Sequence, residues 1–258
     1  MKKLALLAAL ILAVLCLTGC GNNGSNEKAG ESSSQDTENR AETGKIPEET
    51  RRQVTAGQYV TFGRYEQDNN TGNGAEPVRW LVLEVQDGKA LLISFYGLDC
   101  KPFNSSNDDI TWAQCTLRSW LNGEFLNTAF SASEQSAILT TDVDNSSAQG
   151  YSKWSTSGGS NTQDKIFLLS HNEASGYLDS GIMPKWLTST EYASARDDDA
   201  IDMGEGNPKG ANWWLRSPGG QQNSAEIVFN GQQWMFTVAG YKHIVRPALW
   251  VDSAAAGF

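Results

Sequence analysis

The chain holds few residues suited to covalent or metal chemistry. Its two histidines, His171 and His243, lie far apart in sequence. Serine-hydrolase chemistry needs a nucleophile, a histidine base and an orienting acid. No Gly-x-Ser-x-Gly elbow is present, so a serine beside either histidine is expected to be chance. The phosphate-cradling pattern Gly-x-x-x-x-Gly-Lys-Ser/Thr is also missing. Acids are plentiful, and a carboxylate pair for glycoside cleavage is conceivable. Plentiful acids usually solvate a surface. Asp197-Asp198-Asp199 with Asp202 is the one acidic run that calcium could use. Its spacing matches no EF-hand loop, so a solvated loop is expected, with no metal and no cofactor. No catalytic residue is assigned.

The last forty or so residues differ in kind. Gln221, Gln222, Asn223, Asn230, Gln232 and Gln233 offer paired donors and acceptors, and Phe229, Trp234 and Tyr241 offer flat faces. Aromatics and adaptable amides on turns between strands make a recognition surface. A sugar suits it, with its C–H side on a ring and its hydroxyls on amides. The bland alternative puts the aromatics in the core. That reading fits Trp213, Trp214 and Trp250, which adjoin Leu and Val. Trp234, between Gln233 and Met235, could face either way. Arg216 and Arg246 lie beside Pro218 and Pro247 and are expected to pair with acids or carbonyls at strand ends.

The start of the chain is an address. Lys2 and Lys3 precede an apolar run that ends in Leu17-Thr18-Gly19-Cys20. A charged segment, a short apolar segment and small residues before a cleavage point define a secretory signal. The run is too short for a spanning helix. Its ending resembles the bacterial lipobox, which implies cleavage after residue 19, lipidation of Cys20 and a domain held outside the cell membrane. Without Lys2 and Lys3 the chain keeps 18 basic residues against 30 acidic ones. Such a surface repels nucleic acid and anionic lipid, so the lipid must do the anchoring. Cys100 and Cys115 remain, and an exported chain allows either a disulfide or two buried thiols.

Residues 20–52 are mostly Asn, Gly, Ser, Glu and Thr and read as a disordered tether. Residues 53–258 suit one domain. Tyr59 to Gly63 reads as a strand. Val78 to Val85 and Lys89 to Phe95 read as a hairpin turning at Asp87-Gly88. Thr111 to Asn122 is a predicted helix with Thr111 as its N-cap. Ser131 and Glu134 form a capping box that starts another. Ile166 to Leu169 reads as a buried strand, and helices follow near Asn172 to Leu178 and Ser189 to Arg196. Strands return at Trp213 to Arg216, Ala225 to Phe229, Trp234 to Val238 and Ile244 to Val251, with Asn230-Gly231 as a hairpin turn. This order gives an α+β fold, with antiparallel strands from both ends of the domain and helices between.

Trp213-Trp214-Leu215-Arg216-Ser217-Pro218-Gly219 and Val245-Arg246-Pro247-Ala248-Leu249 resemble the closing signature of a bacterial domain family of unknown function. That family is frequent in secreted proteins and lipoproteins of gut Firmicutes. Phe62-Gly63-Arg64-Tyr65, Arg79 to Leu83, Leu117 to Asn122 and Lys165 to Ser170 fit the same family. The closing pattern is similar to that of C-type-lectin-like domains of the formylglycine-generating-enzyme type. The resemblance implies a mixed α/β fold whose last strands and loops carry the ligand site. Some relatives are diversified by retroelements between fixed frame motifs. Carried over here, the display positions are Gln221, Gln222, Asn223, Phe229, Gln232, Gln233, Trp234, Tyr241, Lys242 and His243. The enzymes sharing that fold use late cysteines, and none follows Cys115 here. The expected function is a surface-anchored lipoprotein displaying a non-catalytic domain for a glycan or a cell-surface protein. The alternatives are an envelope hydrolase using paired carboxylates and a structural envelope module.

Overall fold

The computed structural model describes residues 53–196, 211–229 and 231–258. Cys20, the tether and Asp197-Asp198-Asp199 with Asp202 lie outside the described residues. Among the described residues no helix is long and apolar enough to cross a membrane.

The fold is mixed α+β with mostly antiparallel strands. One sheet contains β1 (Tyr59–Tyr65), β2 (Glu76–Gln86), β3 (Lys89–Ser94) and β11 (Ala248–Asp252), in the order β1-β2-β3-β11. The last strand therefore joins the first three, as the strand order along the chain predicts. The β2–β3 hairpin turns on Asp87 and Gly88, at φ 49° and 75°. Two successive positive φ values are what a tight two-residue hairpin requires.

The second sheet contains β4 (Asp99–Lys101), β7 (Trp213–Pro218), β8 (Ser224–Phe229), β9 (Gln232–Thr237) and β10 (His243–Val245), in the order β4-β10-β7-β8-β9. Only the β10–β7 pairing, at Ile244 and Trp213, is parallel. A small third sheet pairs β5 (Thr141–Val143) with β6 (Thr162–Asp164).

The predicted single strand from Ile244 to Val251 is two strands in two sheets. Arg246-Pro247 separates them, since proline supplies no N–H to a ladder. The facing chain makes the same passage: β3 pairs with β11, and β4 pairs with β10. Ser94 N–H donates to the Pro247 carbonyl, and Leu98 N–H to the Val245 carbonyl. Arg246 sits buried at this junction, with Nε 3.0 Å from the Ser94 carbonyl and the guanidinium 5.1 Å from the Trp213 ring centre. The expected carbonyl partner at a strand end is therefore present.

Three further boundaries differ from expectation. The predicted helix at Thr111 begins later, as α1 (Thr116–Trp120), with Cys115 as N-cap. Trp112 is pulled into the core, where its Nε1 donates to Asp164, and Asn104 takes the Thr116 N–H. Helix α1 runs on through a π-helical segment, Leu121–Phe125, into α2 (Leu126–Ala129). Ile166 to Leu169 is buried as expected, yet it forms only one bridge, Phe167 to Ala248, and is not a strand. Ser189 to Arg196 contains just the short α5 (Glu191–Ser194), capped by Thr190. The expected capping box at Ser131 is formed and starts α3 (Ala132–Ala137), and a second one, at Ser170, starts α4 (His171–Asp179). Cys100 and Cys115 are both buried. Cys115 Sγ is occupied as the α1 cap, 3.4 Å from Arg118 N, and burial pushes its pKa up to about 12.

Gly63 shows how tightly the first sheet meets the helices. It lies at φ 69°, at an irregularity in the β1–β2 register, and its N–H donates to Glu134 of the α3 capping box. A β-carbon there would stand 2.6 Å from a Phe130 ring carbon and 2.7 Å from the Ala129 carbonyl. Gly63→Ala should therefore destabilise the domain by about 2 kcal/mol or more. A urea titration checks this, and a midpoint equal to the parent's would refute it.

Candidate functional site

The site is built from the start of α4, the strands β8 and β9, and the loop from residue 144 to 156. Glu173 in the first turn of α4 accepts from Ser170 N as part of the capping box. The same carboxylate receives both terminal nitrogens of Arg216, with Nη2 to Oε1 at 2.7 Å. Arg216 lies on β7 and is buried. It also donates to the carbonyls of Leu168 and Asp144, at 2.8 and 3.0 Å. The planar fork lets one side chain hold a strand, a helix start and a loop together. The neighbouring Ser217 Oγ accepts from His171 N and donates to the Gln149 carbonyl. Two residues of the Arg-Ser-Pro motif thus fix where His171 and the 144–156 loop stand.

His171 is the first residue of α4, and its ring reaches Glu226 on β8. The Nδ1 to Oε2 distance is 2.6 Å, and the Glu226 side chain is fully buried. Burial raises the Glu226 pKa, opposed by the hydrogen bond and charge of His171 and by the Tyr151 backbone. Tyr151 packs against the imidazole with ring centres 5.2 Å apart. Trp154 meets Tyr151 edge-on at 5.1 Å. Thr156 Oγ1 donates to the Gly219 carbonyl at 2.6 Å, which ties this loop to the end of β7. Tyr151, Trp154, His171 and Glu226 line a cleft of about 450 Å³ together with the β9 residues Gln232 to Met235.

Strand β9 is the edge of its sheet and carries several predicted display residues. Its register with β8 pairs Glu226 with Met235, Val228 with Gln233, Ile227 with Trp234, and Phe229 with Gln232. Facing residues share a side and successive residues alternate. Gln233 and Met235 therefore lie on the cleft side with Glu226. Gln233 Nε2 donates to Ser175 Oγ of α4 at 2.7 Å. Gln232, Trp234 and Phe236 lie on the other side, with Phe229. Tyr241 packs on Phe236 at 5.4 Å. Trp234 is 64% exposed and Tyr241 44% exposed. Phe229, Trp234 and Tyr241 accordingly share one side of the sheet, and Trp234 also reaches the cleft rim. Trp213 and Trp214 are core, and Trp250 is half-buried.

Other display positions have different roles. His243 is buried, with its ring between Trp214 at 4.6 Å and Phe236 at 4.7 Å. All three residues of β10 are buried, so His243 is core and not a display residue. Gln222 is a staple between loops. Its Nε2 donates to the Ile110 and Ser157 carbonyls, and its Oε1 accepts from Ser157 N. Asn223 is half-buried, and its carbonyl accepts from Val238 N. Gln221 and Lys242 are exposed.

Sequence reasoning passed over His171, Glu226, Tyr151 and Trp154. Two signals pointed to them. The Ser170…Glu173 capping box places His171 at a helix start. Glu226 is a lone acid inside the apolar run Ala225 to Phe229. One acidic trio, Glu66, Asp68 and Glu76, has oxygens within 4.8 Å of one another. Those oxygens accept from Gln67 N, Asn70 N and Asn73 Nδ2 and form a hydrogen-bonded surface turn.

A family model described as a domain of unknown function, DUF6273, matches residues 87–253, and the chain belongs to that family. The match takes in every residue of the cleft. No curated protein and no solved structure matches the chain.

Burial lowers the His243 pKa from 6.5 to about 4. The unfolded chain then binds a proton that the folded state resists, so stability rises with pH across this window. The contribution of His243 is complete above about pH 6.5 and is lost as pH falls towards 4, on the order of 3 kcal/mol. Melting temperatures between pH 7 and 4 should fall less steeply for His243→Phe than for the parent. Parallel profiles would remove His243 from the acid response.

Proposed function

We propose that this DUF6273 member is a surface-anchored lipoprotein whose domain binds a ligand without catalysis, through the cleft and the exposed aromatics of β8 and β9. The observation that carries the reading is the cleft itself. Its floor is a buried carboxylate bonded to an imidazole, its walls are aromatic rings, and its rim holds an indole that is mostly in water. Pockets that combine apolar walls with a few well-placed polar groups are the usual form of a ligand site. The resemblance to C-type-lectin-like domains supports the same end of the molecule. The Leu17-Thr18-Gly19-Cys20 ending supports the anchor. A hydrolase built on paired carboxylates would need a second acid here, and Glu226 is the only carboxylate among the described residues lining the cleft.

A glycan array combined with pull-downs from cell envelopes tests the binding role. Trp234→Ala and Tyr241→Ala should each weaken the hits about tenfold, which corresponds to about 1.4 kcal/mol. If both variants hold every hit as tightly as the parent, the β8–β9 surface is not the ligand site.

The anchor has its own test. Cys20→Ala should release the protein into the medium, as seen by fractionation and blotting. Retention of that variant in the membrane fraction would show that lipid on Cys20 is not the anchor.

A further inference from the structure

We infer that His171, oriented by Glu226, is the hydrogen-bonding centre of the cleft, and that the ligand class is an uncharged saccharide whose hydroxyl docks on His171 Nε2. This rests on the cleft being the ligand site, as proposed above. The inference begins with the imidazole. Its Nδ1 is 2.6 Å from Glu226 Oε2, a contact that needs one proton between the two atoms. With the ring neutral and that proton on Nδ1, the form taken for this inference, Nε2 keeps its lone pair and accepts. Among the described residues Nε2 takes no hydrogen bond, and it is not one of the sealed polar atoms. The side chain keeps 13% of its exposure and lines the cleft. The imidazole thus lines the cavity with one nitrogen unpartnered among the described residues, and that nitrogen calls for a donor on the ligand.

The walls select among donors. Tyr151 and Trp154 stand edge to face, which gives two ring surfaces at a steep angle beside the imidazole. A saccharide ring offers an apolar C–H face for such a surface and hydroxyls at its edge for nitrogen and amide partners. Gln233, on the cleft side of β9, lines the same cleft. Its Nε2 is bonded to Ser175, and its amide oxygen can accept from a hydroxyl. Among the described residues the lining carries no lysine or arginine, so an anionic ligand would lack a fixed counter-charge there. Glu226 is already committed to His171. Its part is to hold the ring and its tautomer, which makes it a positioning residue.

The test uses the fact that the chain has only two histidines. Imidazole nitrogen NMR on the full-length chain, labelled at histidine and held in detergent micelles, shows one signal set for His171 and one for His243. Near pH 7.5 the parent should show His171 with Nδ1 protonated and Nε2 unprotonated. Glu226→Met should shift that ring towards the Nε2-protonated form. Titration with N-acetylglucosamine trimer, maltotriose and mannotriose should move His171 Nε2 for at least one sugar and leave His243 in place. His171→Phe, which keeps a ring of similar size, should weaken that sugar at least tenfold while the melting curve stays cooperative. If either variant fails to fold, the parent's tautomer and its sugar response still decide the matter.

Three outcomes overturn the inference. An Nε2-protonated His171 in the parent does so. A sugar whose binding depends on Trp234 but not on His171 does so while leaving the binding role intact. The same holds if no sugar binds but an envelope protein is held in a Trp234-dependent way. Loss of the binding role itself would instead appear as ligands indifferent to Trp234, Tyr241 and His171 alike.

Discussion

The buried fork of Arg216 on Glu173 is the contact on which the rest of this end of the molecule depends. A guanidinium taken out of water must find acceptors for its donors, or the fold loses several kcal/mol. Arg216 finds them on three separate stretches of chain: the Glu173 carboxylate, the Leu168 carbonyl and the Asp144 carbonyl. Pairing the two terminal nitrogens of this side chain therefore fixes the start of α4, the extended segment before it and the loop beyond β5. Glu173 also completes the capping box at Ser170, so the ion pair and the helix start are a single device. The cleft inherits its shape from this arrangement, because His171, Tyr151 and Trp154 all follow from where those three stretches lie.

A second constraint acts through β8. The strand is buried along its length, and a carboxylate within it needs a partner. His171 meets that need at the cost of fixing its own ring. A polar pair of this kind costs more to form than an apolar core, and here it lies at the floor of a cavity and not in the middle of the packing. Strand β9 then divides the surface by its pleat. Gln233 and Met235 complete the cleft, while Trp234 and Phe236 turn to the other side with Phe229 and Tyr241. No residue of β9 is fully buried, so side chains on both of its sides remain accessible.

Much of the fold was legible from the chain. The Asp87-Gly88 hairpin, the Ser131 capping box, the first three strands from Trp213 onward and the joining of first and last strands follow from local rules of turn, cap and period. The errors fall where distant contacts decide. Trp112 leaves its expected helix because Asp164, about fifty residues on, holds its indole. Ile166 to Leu169 has a strand's composition, yet only one bridge is within its reach. Ile244 to Val251 reads as one strand, and Pro247 divides it between two sheets.

The site was half legible for the same reason. Composition by itself marked the stretch between the Arg-Ser-Pro and Arg-Pro motifs as unusually rich in amides and aromatics. It also separated Trp213 and Trp214, set among apolar neighbours, from the amide-flanked Trp234. Only the tertiary structure decided which of these residues face solvent. His243 is covered with the whole of β10, and Gln222 spends its amide on two distant carbonyls. It was also the tertiary structure that brought His171 to Glu226, fifty-five residues apart in the chain. A lone histidine and a lone acid carry no mark of pairing in sequence. Their partnership exists because Arg216 sets α4 against β8, and that packing is a property of the whole domain.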